Sequence, residues 1–384
     1  MSAKIFHIAD THLRDSANTS LSRGKDFTKS LLAAIQQAKD LNCDVVTCGG
    51  DFLNTNKPSS QNIQDAMRVH RLGIDLGLPI LCVTGNHDMA SPSWLELASE
   101  TPMDLAAGIK CVDHKQFIVR LKNGEELKVF GLPFLSRPDL LAAMESMPVS
   151  DVLLWHGAVK EFTGYPVENS VELNDFDEAK ASVALLGDQH IWSWKYTAKG
   201  KLVGYPGSTE LCEKSEAFEK FAALIELPCG NSEVGVVTPL AVKLNTRPAR
   251  AFQITNEDDL SRVILELGQD PLVQSDERPP IVFISYHPSV LNVTARIRNA
   301  VPAKSIVRYS AMGQTGLSLK DNAVALTAAR QDVEMSQMVA TFIPSSLPVY
   351  ALAVKLLDSE VNSKDEIMSW TQHRLSKLLE PLQS

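Results

Sequence analysis

The chain has 384 residues, of which 44% are hydrophobic and 22% are charged, and its formal net charge is −9. This composition excludes a disordered chain and supplies apolar material for one large and one smaller domain. Residues 1–240 hold 31 acidic and 22 basic side chains (31 − 22 = 9), so the whole acidic excess lies there. An acidic balance argues against a protein that binds nucleic acid by charge alone.

The ends of the chain and its cysteines indicate the compartment. No signal-peptide pattern opens the sequence and no apolar run is long enough to cross a bilayer, so we expect a cytoplasmic protein without a membrane partner. The six cysteines, at positions 43, 48, 82, 111, 212 and 229, form no Cys-x-x-Cys pair. We expect them to be reduced thiols.

Short apolar segments alternate with segments of helical periodicity over the first 210 residues. Strands are predicted at residues 5–9, 44–48, 79–84, 152–155 and 183–186, and helices at 26–41 and 58–77. Residues 117–121 and 127–130 form a predicted hairpin, because Asn123-Gly124 tolerates the positive φ angles of a two-residue turn. The alternation predicts an α/β layered fold with polar residues at the strand ends.

The character of the chain changes after residue 240. A strand at 281–285 and a helix at 293–300 predict a small α/β domain. A mostly helical segment follows, in which a helix begins at the capping box Ser363-Lys364-Asp365-Glu366. The predicted domains are 1–240, a capping domain at 241–325, and a helical C-terminal segment at 326–384.

Five polar motifs follow predicted strands, each at the point where the strand ends. They are Asp10-x-His12, Gly50-Asp51, Gly85-Asn86-His87-Asp88, His156, and Gly187-Asp188-Gln189-His190. Ligands of open α/β sheets bind at the carboxyl ends of the strands. We therefore expect these side chains to meet although they are far apart along the chain.

The residue types in these motifs fit a pair of divalent cations. Carboxylate and amide oxygens together with imidazole nitrogens suit Mn²⁺, Fe or Zn²⁺ rather than a thiolate-bound metal. Two cations about 3.5–4 Å apart stabilise both the attacking and the leaving oxygen of a displacement at phosphorus, and they can share a bridging carboxylate. A histidine outside the coordination shell can then protonate the leaving oxygen.

In this order the motifs resemble those of the calcineurin-like metallophosphoesterase superfamily, which run Asp-x-His, Gly-Asp, Gly-Asn-His-Asp/Glu, His and Gly-His-x-His. The resemblance implies a layered metallophosphoesterase β-sandwich flanked by helices, with two divalent cations, Mn²⁺ foremost. Carried over by position, it implies that Asp10, His12 and His190 hold the first metal, Asp51 bridges, Asn86 and His156 hold the second, His87 is the general acid, and Asp88 orients His87.

Asp188 departs from the family pattern, which has a histidine at this position. Because a carboxylate also ligates Mn²⁺, the resemblance still implies Asp188 as a ligand of the second metal. The departure leaves the metal preference of that position open.

Two further segments resemble a particular branch of the superfamily. Tyr205-Pro206-Gly207-Ser208 is similar to the Pro-Gly-Ser segment of the SbcD-type, or meiotic-recombination-eleven-type, DNA repair nucleases, and Thr246-Arg247-Pro248 stands where those proteins enter their capping domain. This resemblance implies a manganese-dependent exonuclease and endonuclease acting on DNA ends. It also implies a homodimer bound to an SbcC-type coiled-coil ABC ATPase, with the helix at 363–380 as a candidate docking element.

Two other functions fit the same motifs. A phosphatase or cyclic-nucleotide phosphodiesterase uses the same metal pair, although a hydrolase of small substrates has no need of residues 241–384. A degenerate scaffold subunit is the other alternative, and Asp188 is the feature that favours it.

Overall fold

Strands and helices alternate through most of the chain, and the computed structural model describes residues 2–15, 21–90, 93–95, 107–122, 124–163, 167, 169–216, 218–228, 236–274 and 279–312. The strands are β1 (Ser2–Ile8), β2 (Val45–Cys48), β3 (Pro79–Cys82), β4 (Gly108–Cys111), β5 (Gln116–Arg120), β6 (Glu126–Leu132), β7 (Val152–His156), β8 (Val183–Gly187), β9 (Ser193–Tyr196), β10 (Leu202–Tyr205), β11 (Phe221–Pro228), β12 (Leu240–Lys243), β13 (Ala249–Ile254), β14 (Ile281–Tyr286) and β15 (Ile306–Ala311). The helices are α1 (Leu21–Asp40), α2 (Ser60–Leu76), α3 (Arg137–Ser146), α4 (Lys160–Thr163), α5 (Glu257–Gln269) and α6 (Val293–Ala300), with a 3₁₀ helix at Leu173–Glu178.

Two six-stranded sheets carry the first part of the chain. One has the spatial order β12-β11-β1-β2-β3-β4 and the other β5-β6-β7-β8-β10-β9. The strands β1 to β4 run parallel to one another, as do β6, β7, β8 and β10. The carboxyl ends of β1, β2 and β3 therefore share one rim of the first sheet, and those of β7 and β8 share one rim of the second.

The two sheets pack face to face over an apolar core. Ile5, Val45 and Leu81 of the first sheet belong to one buried cluster with Leu154 and Leu185 of the second. Both sheets are covered on their outer faces, because α1 and α2 pack on the first and α3 with the 3₁₀ helix packs on the second. The result is the predicted β-sandwich flanked by helices.

Helix α2 shows how the sequence defines its own boundaries. Ser59 is its N-cap and forms a capping box with Asn62, and Gly77 ends the helix in the left-handed conformation at φ 67°. The observed helix lies within the predicted range 58–77. Helix α1 begins at Leu21, five residues before the predicted start, and it buries Phe27, Leu31 and Ile35 against the first sheet.

A third sheet follows, with three parallel strands in the order β13-β14-β15. Its core includes Val263 of α5 and Ile297 of α6. Strand β14 and helix α6 match the strand and helix predicted there. Strand β12 crosses the predicted boundary at 240/241, because it pairs with β11 of the first sheet. The boundaries of the three predicted domains stay a prediction, and the predicted helical segment at 326–384 lies outside the described residues.

The hairpin of β5 and β6 is present, but its connection is longer than the two-residue turn we predicted. The N–H of Leu121 donates to the carbonyl of Glu125, and the N–H of Gly124 donates to the carbonyl of Leu121. Gly124 has φ +85°, which is the left-handed position of a longer hairpin loop.

The cysteines among the described residues are free thiols, in agreement with the expectation. Cys43, Cys48, Cys82 and Cys111 are buried free thiols, and Cys212 is a half-buried free thiol. Among the described residues, no helix combines the length and the apolar character needed to cross a membrane.

His7 links the two sheets from the middle of β1. Its Nε2 donates to the carbonyl of Leu186 in the second sheet at 3.0 Å, and its Nδ1 lies 3.0 Å from the hydroxyl of Thr47. The ring is fully buried, and burial lowers the pKa of His7 to about 4 despite these hydrogen bonds. His7 is therefore a neutral structural histidine.

This burial makes the stability of the fold depend on pH. The unfolded chain binds a proton at His7 below pH 6.5 and the folded chain does so only near pH 4, so stability is lost as the pH falls through this interval. We expect the wild type to lose on the order of 2 kcal/mol more than His7→Gln between pH 7 and pH 5. Urea unfolding at both pH values measures this difference, and equal losses in the two proteins would contradict it.

Candidate metal centre

The predicted site residues lie where strands of both sheets end. Asp10 and His12 follow β1, Asp51 follows β2, Asn86 and His87 follow β3, His156 ends β7, and Asp188 and His190 follow β8. The rims of the two sheets meet here, because the N–H of Asp188, after β8, donates to the carboxylate of Asp10, after β1. One cluster thus forms from five separate stretches of chain.

Glycines in the motifs allow the two rims to touch. A Cβ on Gly187 would lie 2.1 Å from the carbonyl oxygen of Gly49, so neither sheet end could hold a side chain there. Gly50 has φ +99°, and a Cβ on it would lie 2.4 Å from Nδ1 of His156. The glycines that precede Asp51 and Asp188 are therefore needed for space as well as for turning.

The backbone is strained at the site. Eight described residues other than glycine have positive φ, and four of them are the site residues Asp10, His12, Asp51 and Asp188. Each such conformation costs on the order of 1–3 kcal/mol, and such residues cluster at functional sites. The fold sustains this strain at the residues whose side chains converge.

Asp10, Asp51 and His156 form the most deeply buried group. One donor atom of each lies within 4.8 Å of the others, and all three residues are buried. Nδ1 of His156 donates to the carbonyl of Gly49 at 2.7 Å, so Nε2 is the ring nitrogen that faces the cluster. That Nε2 lies 2.9 Å from Oδ1 of Asn86 and 3.6 Å from Oδ1 of Asp51. These nitrogen and oxygen atoms would be the donors that hold a cation here.

A second group surrounds His12. Its Nε2 lies 3.1 Å from Nε2 of His190 and 3.7 Å from Oδ2 of Asp51. Two nitrogens bound to one zinc at 2.0–2.1 Å stand about 3 Å apart, so the imidazoles are already spaced for a shared cation. Burial, followed by the charge of His190, lowers the pKa of His12 well below its usual value, which keeps the ring a neutral donor.

Asp10 shows the electrostatic cost of the cluster. Burial raises its pKa well above the usual range, and the charges of Asp51 and Asp188 raise it further. A divalent cation is the group that offsets several buried carboxylates together with neutral imidazoles. The residues present therefore fit a divalent metal, as oxygen and nitrogen donors grouped around Asp51.

Asp188 lies beside this cluster, and its side chain is half-buried. Its Oδ1 is 3.9 Å from Nε2 of His156, and its backbone N–H donates to the carboxylate of Asp10 at 3.0 Å. The carboxylate of Asp188 thus faces Nε2 of His156, the nitrogen that Asn86 and Asp51 also face. This placement is compatible with the ligand role that we predicted for it.

Asp88 does not orient His87, so that expectation is wrong. Its carboxylate is turned into the protein, where Oδ1 accepts from the N–H of Leu53 and Oδ2 from those of Phe52 and Gly85. Burial, followed by the charge of Asp51, raises the pKa of Asp88 to about 7. Asp88 ties together the loops that follow β2 and β3.

His87 is instead oriented by the main chain. Its Nδ1 donates to the carbonyl of Asn54 at 3.0 Å, which places the other ring nitrogen, Nε2, 4.0 Å from Oδ2 of Asp51. The side chain is 44% exposed, so its free nitrogen is accessible to a substrate. A backbone carbonyl carries no residue-specific signal, which is why the sequence could not reveal this partner.

Glu216 is a residue of the site that the motifs did not include. Its Oε1 accepts from Nδ1 of His190 at 2.7 Å, and its Oε2 accepts from Nζ of Lys220 at 2.6 Å. Burial opposes its ionisation, but the bond from His190 and the charge of Lys220 outweigh it and lower the pKa of Glu216 to about 2. The carboxylate therefore fixes the tautomer of His190 and leaves Nε2 free for a metal.

Replacing Glu216 should weaken metal binding without removing a donor atom. We expect Glu216→Gln to lower the affinity for a divalent cation by about 10–100-fold, because the amide holds His190 with a weaker, uncharged acceptor. Isothermal titration of the metal-free protein measures this change. The side chain of Glu213 is exposed, and the hydrogen bonds that join Glu213 to Glu216 involve the backbone N–H and carbonyl of Glu213, so Glu213→Gln is the matched control. Equal affinities in the two variants would remove Glu216 from the site.

A calcineurin-like phosphoesterase is the class that this architecture and site define, and residues 3–192 match the family model described as calcineurin-like phosphoesterase. The chain belongs to the calcineurin-like metallophosphoesterase superfamily and is a metal-dependent phosphoesterase.

Its relatives include proteins named DNA double-strand break repair protein Mre11. The one from Saccharolobus solfataricus is 23% identical over 318 residues, which cover 80% of this chain and 81% of the relative. That from Methanococcus maripaludis is 23% identical over 382 residues, or 93% of this chain and 96% of the relative. The Methanosarcina mazei protein is 28% identical over 228 residues, or 58% of this chain and 36% of the relative.

Proposed function

We propose that this chain is a DNA nuclease subunit that hydrolyses phosphodiester bonds with two divalent cations, of which Mn²⁺ is the expected activator. The observation that carries the proposal is the convergence of donors from five strand ends around Asp51, whose two oxygens face different histidines, His156 and His12. DNA is the proposed substrate because relatives named for DNA break repair align well past residue 192, where the phosphoesterase match ends.

The proposed site divides into two metal positions. Asp10, His12 and His190 are proposed for the first, Asn86, His156 and Asp188 for the second, and Asp51 for both. Cations at these positions supply Lewis-acid stabilisation of the charge that develops on the phosphoryl oxygens. The protein contributes the spacing of the donors, their hydrogen-bonded orientation and the exclusion of most water from Asp10, Asp51 and His156, which are buried.

His87 is the proposed general acid. Its Nδ1 proton is held by the carbonyl of Asn54, so Nε2 is the atom that carries the transferable proton to the leaving oxygen. The exposed edge of the ring suits a role outside the coordination shell. Asp88 supports this arrangement indirectly, by holding the loop of His87 against the loop of Asp51.

The substrate is tested by comparing linear DNA with p-nitrophenyl phosphate esters in the presence of Mn²⁺. We expect DNA to be degraded, and we expect Asp51→Asn protein prepared in parallel to leave it intact. Activity on the small esters alone would support a phosphatase or small-molecule phosphodiesterase. Absence of cleavage on both, with fewer than two cations bound at saturating Mn²⁺, would support a scaffold subunit.

Partners are part of the same proposal. The relatives and the Pro-Gly-Ser segment support a homodimer that works with an SbcC-type coiled-coil ABC ATPase. The acidic balance fits such an assembly, since the ATPase can supply cationic contacts to DNA. Sedimentation of the chain alone and with an SbcC-type subunit tests both statements, and a monomer that ignores the ATPase would contradict them.

A further inference from the structure

Cys212 lies beside the first metal position, although no motif pointed to it. One donor atom each of His12, His190 and Cys212 lies within 4.8 Å of the other two. The thiol belongs to the loop after β10, close to the Pro-Gly-Ser segment, and it is half-buried. The sequence had led us to expect only oxygen and nitrogen donors.

The backbone of Cys212 and the imidazole of His190 are held by the same carboxylate, while the thiol itself donates to the carbonyl of Glu210 at 3.5 Å. The backbone N–H of Cys212 donates to Oε2 of Glu216 at 3.0 Å, while Nδ1 of His190 is bonded to Oε1 of that residue at 2.7 Å. Lys220 holds Glu216 in turn at 2.6 Å. The relative placement of Cys212 and His190 is thus built by a buried network rather than by a flexible loop.

Two observations besides the thiol point to a ligand at this position. Nε2 of His12 and Nε2 of His190 face one another at 3.1 Å, which matches the spacing of two nitrogens on one cation. His12 is 3% exposed, and its Nδ1 has no hydrogen-bond partner among the described residues. Burial and the charge of Glu216 raise the pKa of the Cys212 thiol to about 12, against the charge of Arg14, whose Nη2 lies 3.9 Å from the sulfur, so the thiol gives up its proton on binding a cation.

We propose that Cys212 is a sulfur ligand of the first metal position, which makes that position prefer a zinc-like cation while the second position takes Mn²⁺. The inference rests on the proposed function for the assignment of His12 and His190. Binding breaks the S–H bond, the proton leaves to solvent, and the sulfur lone pair goes to the cation.

The difference between the two positions follows from their donors. With Cys212, the first position combines a thiolate and two imidazoles with the carboxylates of Asp10 and Asp51, and the soft sulfur and nitrogen donors favour zinc there. The second position has the oxygens of Asn86, Asp51 and Asp188 around a single imidazole of His156, which suits Mn²⁺. A centre with two different cations is the consequence.

Cobalt substitution tests the sulfur ligand directly. The metal-free full chain is titrated with Co²⁺, and we expect a thiolate-to-cobalt charge-transfer absorption in the near ultraviolet that saturates at one equivalent. Cys212→Ser should lose this absorption. Cys43→Ala should keep it, because Cys43 precedes β2 and its charged neighbours are Lys4, Asp44 and Glu226 rather than these histidines. Competition should also show a loss of Zn²⁺ affinity of about tenfold or more in Cys212→Ser, with Mn²⁺ affinity unchanged.

The cobalt spectrum tests the sulfur ligand, and DNA cleavage tests the nuclease proposal separately. Cobalt bound to the wild type without the charge-transfer absorption, or the same absorption in Cys212→Ser, would overturn the sulfur ligand even if DNA were cleaved normally. The absorption present in a protein that does not cleave DNA would leave the sulfur ligand in place and defeat the nuclease proposal alone.

Discussion

Asp51→Asn is expected to abolish hydrolysis and to release at least one of the two cations. The Asp51 carboxylate has Oδ1 3.6 Å from His156 and Oδ2 3.7 Å from His12, so it is the group placed between both proposed metal positions. Asparagine keeps the acceptor for the N–H of His87, which now binds Oδ1 at 2.9 Å, and the fold should survive. Loss of about 4 kcal/mol of transition-state stabilisation corresponds to a rate about 10³-fold lower.

Metal content by elemental analysis, together with DNA cleavage, measures this effect. Asp75→Asn is the matched control, because Asp75 is an exposed carboxylate on α2. Thermal unfolding of the metal-free proteins verifies that the two variants fold alike. Full metal content and normal cleavage in Asp51→Asn would show that Asp51 does not bridge.

His87→Ala is expected to keep both cations and to lose most of the cleavage of DNA. The side chain is outside the buried donor groups, and its contribution is a proton delivered from Nε2, so we expect the rate to fall about 10²–10⁴-fold. The metal content should match that of the wild type. His287→Ala, at an exposed histidine of the third sheet's domain, is the control.

The leaving group gives this prediction a sharper form. A p-nitrophenolate leaves without protonation, whereas the sugar oxygen of DNA needs a proton. If p-nitrophenyl esters are hydrolysed, His87→Ala should therefore lose much less activity on them than on DNA. Equal losses on the two substrates would indicate that His87 binds the phosphate rather than donating a proton.

Much of the fold and of the candidate site could be predicted because local patterns determine both. Helix α2 carries its own cap residues, Ser59 and Gly77, and the strands that precede the motifs are short apolar runs bounded by polar residues. Parallel strands in one sheet end at one rim, so the pattern of apolar run followed by Asp, Asn or His was enough to predict that these side chains meet.

The sequence-based prediction for Asp88 was wrong because the role of this residue depends on where its side chain points. Asp88 follows His87 in sequence, yet its carboxylate is turned into the protein, because the backbone N–H groups of Phe52, Leu53 and Gly85 need an acceptor in a buried position. Sequence adjacency places two side chains near one another but does not decide where either points. The hairpin connection was also longer than the Asn-Gly pair alone implied.

The sequence by itself determined the layered α/β class, the five strand-end motifs and the kinds of donor atoms gathered there. Only the tertiary structure decided which atom faces which: the carbonyl of Asn54 behind His87, Glu216 behind His190, and Cys212 beside His12 and His190. The physical reason is that these contacts join main-chain groups or side chains from segments without a motif. Their direction is fixed by the packing of two sheet rims, which no local pattern contains.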